Sequence, residues 1–201
     1  MVKLDNVTEG VLDVINDNKF SQTGAFNLRE NGTSICHGDS EHIKIKKKTD
    51  KPGIDIYIDG KTDGEAVYIP VVLSKSGMTD LVYNDFYVED GADVRIVAGC
   101  GIHNSGCNES RHDGIHTFHV GKNANVRYEE KHYGEGEGSG KRILNPQTIV
   151  YLEEGASIVM DTSQIGGVDD TKRYTKCEAN GANSEVQINE KLLTAGDQHA
   201  V

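Results

Sequence analysis

The chain has 201 residues, of which 36% are hydrophobic and 26% charged, and its formal net charge is −11 at pH 7. This length predicts one domain, or a domain with a short appendage. The acidic balance argues against nucleic-acid binding, which requires clustered Lys and Arg. The N-terminus lacks the apolar segment of a secretory signal, and no apolar stretch reaches 18 residues, so we predict a cytoplasmic protein without a membrane partner.

The first 40 residues differ in pattern from the rest. Apolar residues at helical spacing predict a short amphipathic helix within residues 2–18, and a polar stretch follows. From Ile43 onward, short β-rich runs at 54–58, 67–73, 81–88 and 94–97 are bounded by Gly, Asn or Asp. We therefore predict a helical and irregular segment at 1–40 and a β core at 41–201, in which the basic run 44–48 is a strand with a solvated face.

An internal repeat gives the strongest indication of architecture. Four similar turn-plus-strand units place Ala at 92, 124, 156 and 182, at intervals of 32, 32 and 26 residues. The preceding Gly or Asn tolerates positive φ, the small Ala fits the inside of a corner, and a half-buried strand follows. Units at a nearly fixed long interval predict a β-solenoid whose coils stack. The alternative, an antiparallel sandwich, would have turns every 8–12 residues without this long period.

Potential metal ligands are concentrated in one segment, where Cys100, His103, Cys107, His112, His116 and His119 lie within twenty residues. Thiolate and imidazole suit zinc, iron or iron–sulfur species, but this spacing matches no standard zinc module. Gly99 and Gly101 flank Cys100, which predicts an accessible thiol. The alternatives are histidines on a polar loop with no ligand role, and a cysteine that acts as a small buried hydrophobe. The four scattered cysteines do not form a secreted disulfide framework.

Two further motifs resemble known sites only superficially. His112-Asp113-Gly114-Ile115-His116 imitates the zinc-protease motif, but its central Gly and the β-rich residues after it predict a strand, which argues against a metalloprotease. The Gly-rich run 134–142 imitates a phosphate-binding loop. It has Glu135 where Gly is required and Arg142 where Ser or Thr is required, so we predict a flexible loop between coils.

Several segments together resemble the SufB/SufD family of iron–sulfur cluster assembly scaffolds, and in particular its short single-subunit members. The residues that carry the resemblance are Gly24–Arg29, Lys75–Asp80, Gly99-Cys100, Gly114–His116, Val120–Tyr128, Glu130–Gly136, Arg142–Pro146, Glu153–Ala156 and Met160–Asp169. This resemblance covers most of the chain.

The resemblance implies a right-handed parallel β-helix that acts as a homodimer or a SufB/SufD-type heterodimer. It also implies a SufC-like ABC-type ATPase and a sulfur-donating desulfurase system as partners, and a transient iron–sulfur cluster as cargo. Cys100 is then the expected sulfur acceptor. The family's β-helix continues further and ends in helices, so we expect the core to be incomplete at its C-terminal end, with no tightly bound cofactor.

The sequence therefore predicts an all-β scaffold subunit for iron–sulfur cluster assembly, without catalysis of its own. Cys100 is the expected sulfur acceptor, and Cys100, His103, Cys107, His112 and His116 are the candidate metal ligands. One alternative is a structural β-solenoid module that binds other proteins without a metal, and another is a zinc hydrolase that uses the histidine cluster.

Overall fold

The computed structural model describes residues 2–201, which form one helix and sixteen strands. In chain order these are α1 (Asn6–Ile15), β1 (Ala25–Glu30), β2 (Thr33–Gly38), β3 (Ile43–Lys47), β4 (Gly53–Ile58), β5 (Asp63–Leu73), β6 (Thr79–Val88), β7 (Asp93–His103), β8 (Ser110–Val120), β9 (Asn125–Glu135), β10 (Arg142–Leu144), β11 (Gln147–Leu152), β12 (Ser157–Gln164), β13 (Asp170–Thr171), β14 (Tyr174–Ala179), β15 (Glu185–Leu192) and β16 (His199–Ala200).

The strands form two sheets that the chain visits in turn, one coil after another. Sheet A has the order β15-β12-β9-β7-β5-β1-β2, and sheet B has the order β16-β13-β10-β8-β6-β4-β3. In sheet B, β10 and β11 both pair with the long strand β8, each along a different part of it, and β14 pairs with β11. All pairs between coils are parallel, whereas β1–β2 and β3–β4 are antiparallel. The predicted β-solenoid is therefore confirmed.

The repeated corner has the predicted chemistry in three of its four predicted copies. In each, the amide of a buried Ala donates to the carbonyl three residues earlier, at 3.1–3.3 Å. The residue before each Ala has a left-handed backbone, with φ of 77° at Gly91, 55° at Asn123 and 66° at Gly155. Because each corner is preceded by a residue that tolerates positive φ, the coils turn at equivalent points and stack in register.

The fourth corner is displaced from its predicted position. Ala182 is exposed, and the residue equivalent to Ala156 is Ser184, whose amide donates to Gly181. Asn183 has the left-handed backbone, with φ of 58°, and Ser157 pairs with Glu185, so this coil has 28 residues rather than 26. The alignment on Ala182 was wrong because the left-handed residue and the hydrogen bond define the corner, and Ser fits there as well as Ala.

The N-terminal segment contributes more to the fold than its polar sequence predicts. The helix is confirmed as α1, whose N-cap Asp5 accepts a hydrogen bond from the Thr8 amide at 2.7 Å. Residues 25–38, predicted to be irregular, form the hairpin β1–β2 instead. β1 also pairs with β5, so sheet A begins before the predicted boundary at residue 40. The cause is tertiary pairing, since this hairpin lacks the clean alternation of β4.

The interior of the solenoid has two halves along each strand. The apolar half lies next to the Ala corners, where Phe86 and Phe118 stack with ring centroids 4.4 Å apart over buried Val and Ile side chains. The polar half lies further from those corners and is lined by inward-facing polar side chains of β6, β8, β9 and β12. Three of the predicted site residues, Cys100, His112 and His116, enter this second half.

The Gly-rich run connects β9 to β10 and lies between coils, as predicted. It is hydrogen-bonded to the equivalent loop of the preceding coil, because Gly138 donates to Asn104 and Gly140 donates to Gly106. A Cβ at Gly138 or Gly140 would collide with that backbone. The glycines therefore allow two loops to stack closely.

Candidate functional site

The structure separates the five predicted ligand residues into two groups. Cys100, His112 and His116 point into the polar half of the solenoid and are each at least 96% buried. His103 lies on the outer face of sheet A, where its Nδ1 is 2.9 Å from Glu135 Oε1, and Cys107 is exposed on the loop between β7 and β8. The fold thus brings three of the five together and leaves two outside.

Cys100 is a buried thiol with an apolar side and a polar side. It packs against Val71, Ile102 and Leu144, while on sheet A its register partner is His132 of β9. Burial raises the pKa of Cys100 well above its ordinary value, and the nearby carboxylates of Glu130 and Asp80 raise it further. The thiol is therefore protonated at neutral pH, and its reactivity as a nucleophile is low.

The glycines beside Cys100 serve a different purpose from the one predicted. Gly99 and Gly101 lie on the outer face of sheet A, beneath α1. A Cβ at Gly99 would be 3.0 Å from Ile15 Cβ, and a Cβ at Gly101 would collide with Val11 Cγ1. The prediction of an accessible thiol was wrong, because these glycines allow a helix to pack closely on the strand.

His112 and His116 lie on strand β8, which confirms the strand predicted for this motif. Both imidazoles face inward and lean over Gly114, where a Cβ would be 3.2 Å from His112 Nε2 and 3.6 Å from His116 Nε2. The side chains therefore converge over a residue that has none. The helical geometry of a zinc protease is absent from this strand, which is evidence against the hydrolase alternative.

An ion pair closes one end of the cluster. Arg29 of β1 donates from Nε and Nη2 to the carboxylate of Asp80, at 2.8 and 2.6 Å, and His112 Nδ1 lies 3.1 Å from the same carboxylate. Burial alone would raise the pKa of Asp80, but the hydrogen bonds from Arg29 and His112 lower it well below its ordinary value. Asp80 is therefore a carboxylate inside the solenoid, and Arg29 balances its charge.

A second chain of contacts runs through the centre of the cluster. His116 Nδ1 lies 2.8 Å from the Tyr128 hydroxyl, which donates to Glu130 Oε1 at 2.9 Å, and Arg173 donates to Glu130 Oε2 at 2.9 Å. Burial opposes ionisation of Glu130, yet His132 and Arg173 hold its pKa well below its ordinary value. Arg173 and Glu130 thus form a second buried ion pair of zero net charge.

His116 and His132 are neutral at pH 7. Burial lowers the pKa of His116 to about 4, although Glu130 opposes the shift. Burial also lowers the pKa of His132, whose Nε2 lies 3.4 Å from Glu130 Oε1. Arg173 therefore supplies the positive charge that Glu130 requires at neutral pH.

The cluster does not form a ready-made metal site. Within residues 2–201, no three His, Cys, Asp or Glu side chains come close enough to hold a metal ion. Its buried polar atoms are also incompletely paired, since His112 Nε2, Thr162 Oγ1 and both side-chain polar atoms of Gln164 have no hydrogen-bond partner in this part of the chain. One thiol and three imidazoles thus face a polar interior with unused hydrogen-bonding capacity.

Sequence reasoning missed most of this cluster. The missed residues are Arg29, Asp80, Asn84, Tyr128, Glu130, His132 and Arg173. The period-two alternation of β9 would have found some of them, because Val126, Tyr128, Glu130 and His132 share one parity and hence one face. No local signal identifies Arg29 or Arg173, which reach the cluster from 51 and 43 residues away along the chain.

The remaining cysteines lie apart from this cluster. Cys36 is on β2, and Cys177 is on β14, where it packs against the apolar half of the interior. Burial raises the pKa of both thiols.

None of the helical residues in 2–201 forms a segment long and apolar enough to cross a bilayer. Comparisons with protein families, with characterised proteins and with solved structures found no match.

Proposed function

We propose that this chain is a SufB/SufD-like scaffold subunit for iron–sulfur cluster assembly, acting with an ABC-type ATPase. Two lines of support are independent of each other: the motifs that resemble this family, and a β-solenoid that presents Cys100 beside His132 in a buried polar cluster. The buried cluster is the observation that carries the proposal. A solenoid needs only apolar coils to fold, and two interior ion pairs with four histidine and cysteine side chains exceed that need.

In this proposal, Cys100 accepts sulfur, the nascent cluster is cargo, and the protein performs no catalysis of its own. His112 and His116, which share the interior with Cys100, are further candidates for iron contact, and His103 and Cys107 are candidates outside the interior. Because the Cys100 thiol is protonated and covered, sulfur acceptance requires that a partner opens the interior and favours the thiolate. The partners proposed are the ATPase, a second subunit of the same or a related kind, and a sulfur-donating desulfurase system.

The experiment is anaerobic reconstitution of the purified chain with ferrous iron and sulfide. It is carried out with the chain alone and with an ABC-type ATPase from the organism that encodes this chain. We expect thiolate-to-iron absorption that is lost in Cys100→Ser and retained in the control Cys177→Ser. If the wild-type chain gains no such absorption and no ATPase co-purifies with it, the proposed function is wrong. If absorption is retained in Cys100→Ser, only the assignment of Cys100 to the cluster site is wrong.

The second candidate function is a β-solenoid module that binds other proteins without a metal. The observation that favours it is an aromatic ladder on the outer face of sheet B, formed by Tyr57, Tyr87, His119 and Tyr151, with ring centroids 5.0–5.5 Å apart. Tyr57 and Tyr87 are 40% and 36% exposed, and aromatic residues are enriched at the surfaces where proteins bind one another. A metal-free homodimer that retains no ATPase would favour this module over the scaffold.

A further inference from the structure

A cleft of about 570 Å³ opens at the N-terminal end of the solenoid interior. It lies between the hairpins β1–β2 and β3–β4, which extend sheets A and B respectively beyond the first coil. Arg29 and Asn84 line the cleft and also belong to the buried polar cluster. The polar half of the interior therefore reaches the surface here.

Unused hydrogen-bond donors lie in the deep part of this cleft. Arg29 is 8% exposed, and it uses Nε and Nη2 for Asp80, so Nη1 has no partner within residues 2–201. Asn27 is 7% exposed and accepts from Ser34 through its side-chain oxygen. Its amide nitrogen has no partner in the same part of the chain. A guanidinium edge and an amide N–H together match the oxygens of a carboxylate or phosphate.

The charge around the cleft also favours an anion. Lys47 and Lys51 line its rim, and Lys51 Nζ lies 4.6 Å from the ring centroid of Tyr83. Asp50 is the one carboxylate among the lining residues. In a chain of net charge −11, this local excess of positive charge marks a place where an anion is attracted rather than repelled.

The remainder of the wall is aliphatic and is formed by Ile45, Ile54, Ile69, Val71 and Val82. We propose that the cleft binds a small organic anion, with its carboxylate or phosphate at Arg29 and Asn27 and its apolar body against this wall. The volume is within the range of small-molecule sites, which are largely apolar with a few placed polar groups. Cys100 is not part of the lining, so anion binding in this cleft can be tested separately from the proposed scaffold function.

The test is titration of the full chain, followed by amide NMR shifts and calorimetry, with hexanoate, hexyl phosphate and hexanol as probes. We expect saturable binding of at least one anion at millimolar concentration and binding of hexanol about tenfold weaker or more. The two anions show which head group the site prefers. Saturable binding of neither anion, or equal binding of hexanol and the anions, overturns the proposal.

Two variants locate the binding. Lys47→Met/Lys51→Met removes the rim cations, and we expect the affinity for the anion to fall about fivefold or more. The control is Lys44→Met/Lys61→Met, which changes the net charge by the same amount outside the cleft. We expect the control to keep the affinity within about twofold of wild type. Thr33→Trp places a large side chain at the exposed rim and is expected to abolish binding without touching the core. If both the rim-cation pair and Thr33→Trp fold and bind the anion unchanged, the site lies elsewhere and the proposal is wrong.

Discussion

Strand β9 passes through two different interiors within seven residues. Val126 and the ring of Tyr128 pack in the apolar half, whereas the Tyr128 hydroxyl, Glu130 and His132 lie in the polar half, and all four side chains are at least 97% buried. The apolar half gains free energy from burial and has no partners to lose. The polar half depends on ion pairs and hydrogen bonds, so loss of one partner leaves an uncompensated group in a low dielectric. Two side chains that are equally buried can therefore differ in how much stability is lost when they are substituted.

The largest expected difference between the halves follows from removing one member of a buried ion pair. Arg173→Met leaves the Glu130 carboxylate without its counter-charge, and we expect the free energy of unfolding to fall by about 3–5 kcal/mol. Urea unfolding at pH 7 measures this loss of free energy. The control is Arg173→Met/Glu130→Gln, which also removes the charge that Arg173 balances and should recover part of the loss. A single variant within about 1 kcal/mol of wild type would show that water already solvates Glu130.

The polar half should also make stability depend on pH. His116 has a folded pKa of about 4, below its ordinary value of 6.5, so both states are neutral above pH 6.5. As pH falls from 6.5 to 4, the His116 imidazole binds a proton in the unfolded chain but stays neutral in the folded chain. The free energy of unfolding then drops by about 1.4 kcal/mol per pH unit, or about 3 kcal/mol in total, and His132 acts in the same direction.

Urea unfolding between pH 7 and 5.5 measures this slope, because the carboxyl groups of the unfolded chain, with ordinary pKa values of 3.8 to 4.5, bind few protons in that range. His116→Gln cannot titrate and should give a shallower slope than wild type. Equal slopes for the two proteins would mean that His116 titrates normally in the folded state.

Helix α1 packs on the outer face of β7, opposite the polar half of the interior, and a third variant tests this packing. Gly101→Ala places a methyl group against Val11, and we expect a loss of about 1–3 kcal/mol from overpacking. Thermal unfolding of Gly101→Ala, of Val11→Ala and of the double variant Val11→Ala/Gly101→Ala separates the collision from the other effects of the added methyl group. The double variant should be more stable than the sum of the two single changes predicts, and strict additivity would contradict the close packing.

The smallest expected effect is in the apolar half. Ile158→Val removes one buried methylene group, and we expect a loss of about 0.5–1.5 kcal/mol that is the same at pH 7 and pH 5. Unfolding curves at the two pH values measure it. A loss that changes with pH would mean that the two halves are energetically coupled, contrary to the comparison drawn from β9.

The sequence by itself determined the parts of this protein that local chemistry controls. The left-handed Gly or Asn before a small buried residue sets each corner, and the long period of these corners determines a solenoid, because a single coil cannot bury its own apolar face. Local sequence also predicted α1, from apolar residues at helical spacing, and the strand of His112 and His116, from Gly114 and the β-rich residues that follow. It misaligned the fourth corner, where Ser184 replaces Ala, because side-chain identity there is less constrained than backbone conformation.

Only the tertiary structure decided which residues meet inside. Arg29 and Asp80 join across 51 residues, and Glu130 meets Arg173 across 43, since stacking of coils brings distant strands into register. The same stacking placed α1 over Gly99 and Gly101, so that the glycines serve helix packing and Cys100 points inward. Alternation along a strand shows that two residues share a face, but the packing of neighbouring elements determines whether that face is solvent, apolar core or polar cluster.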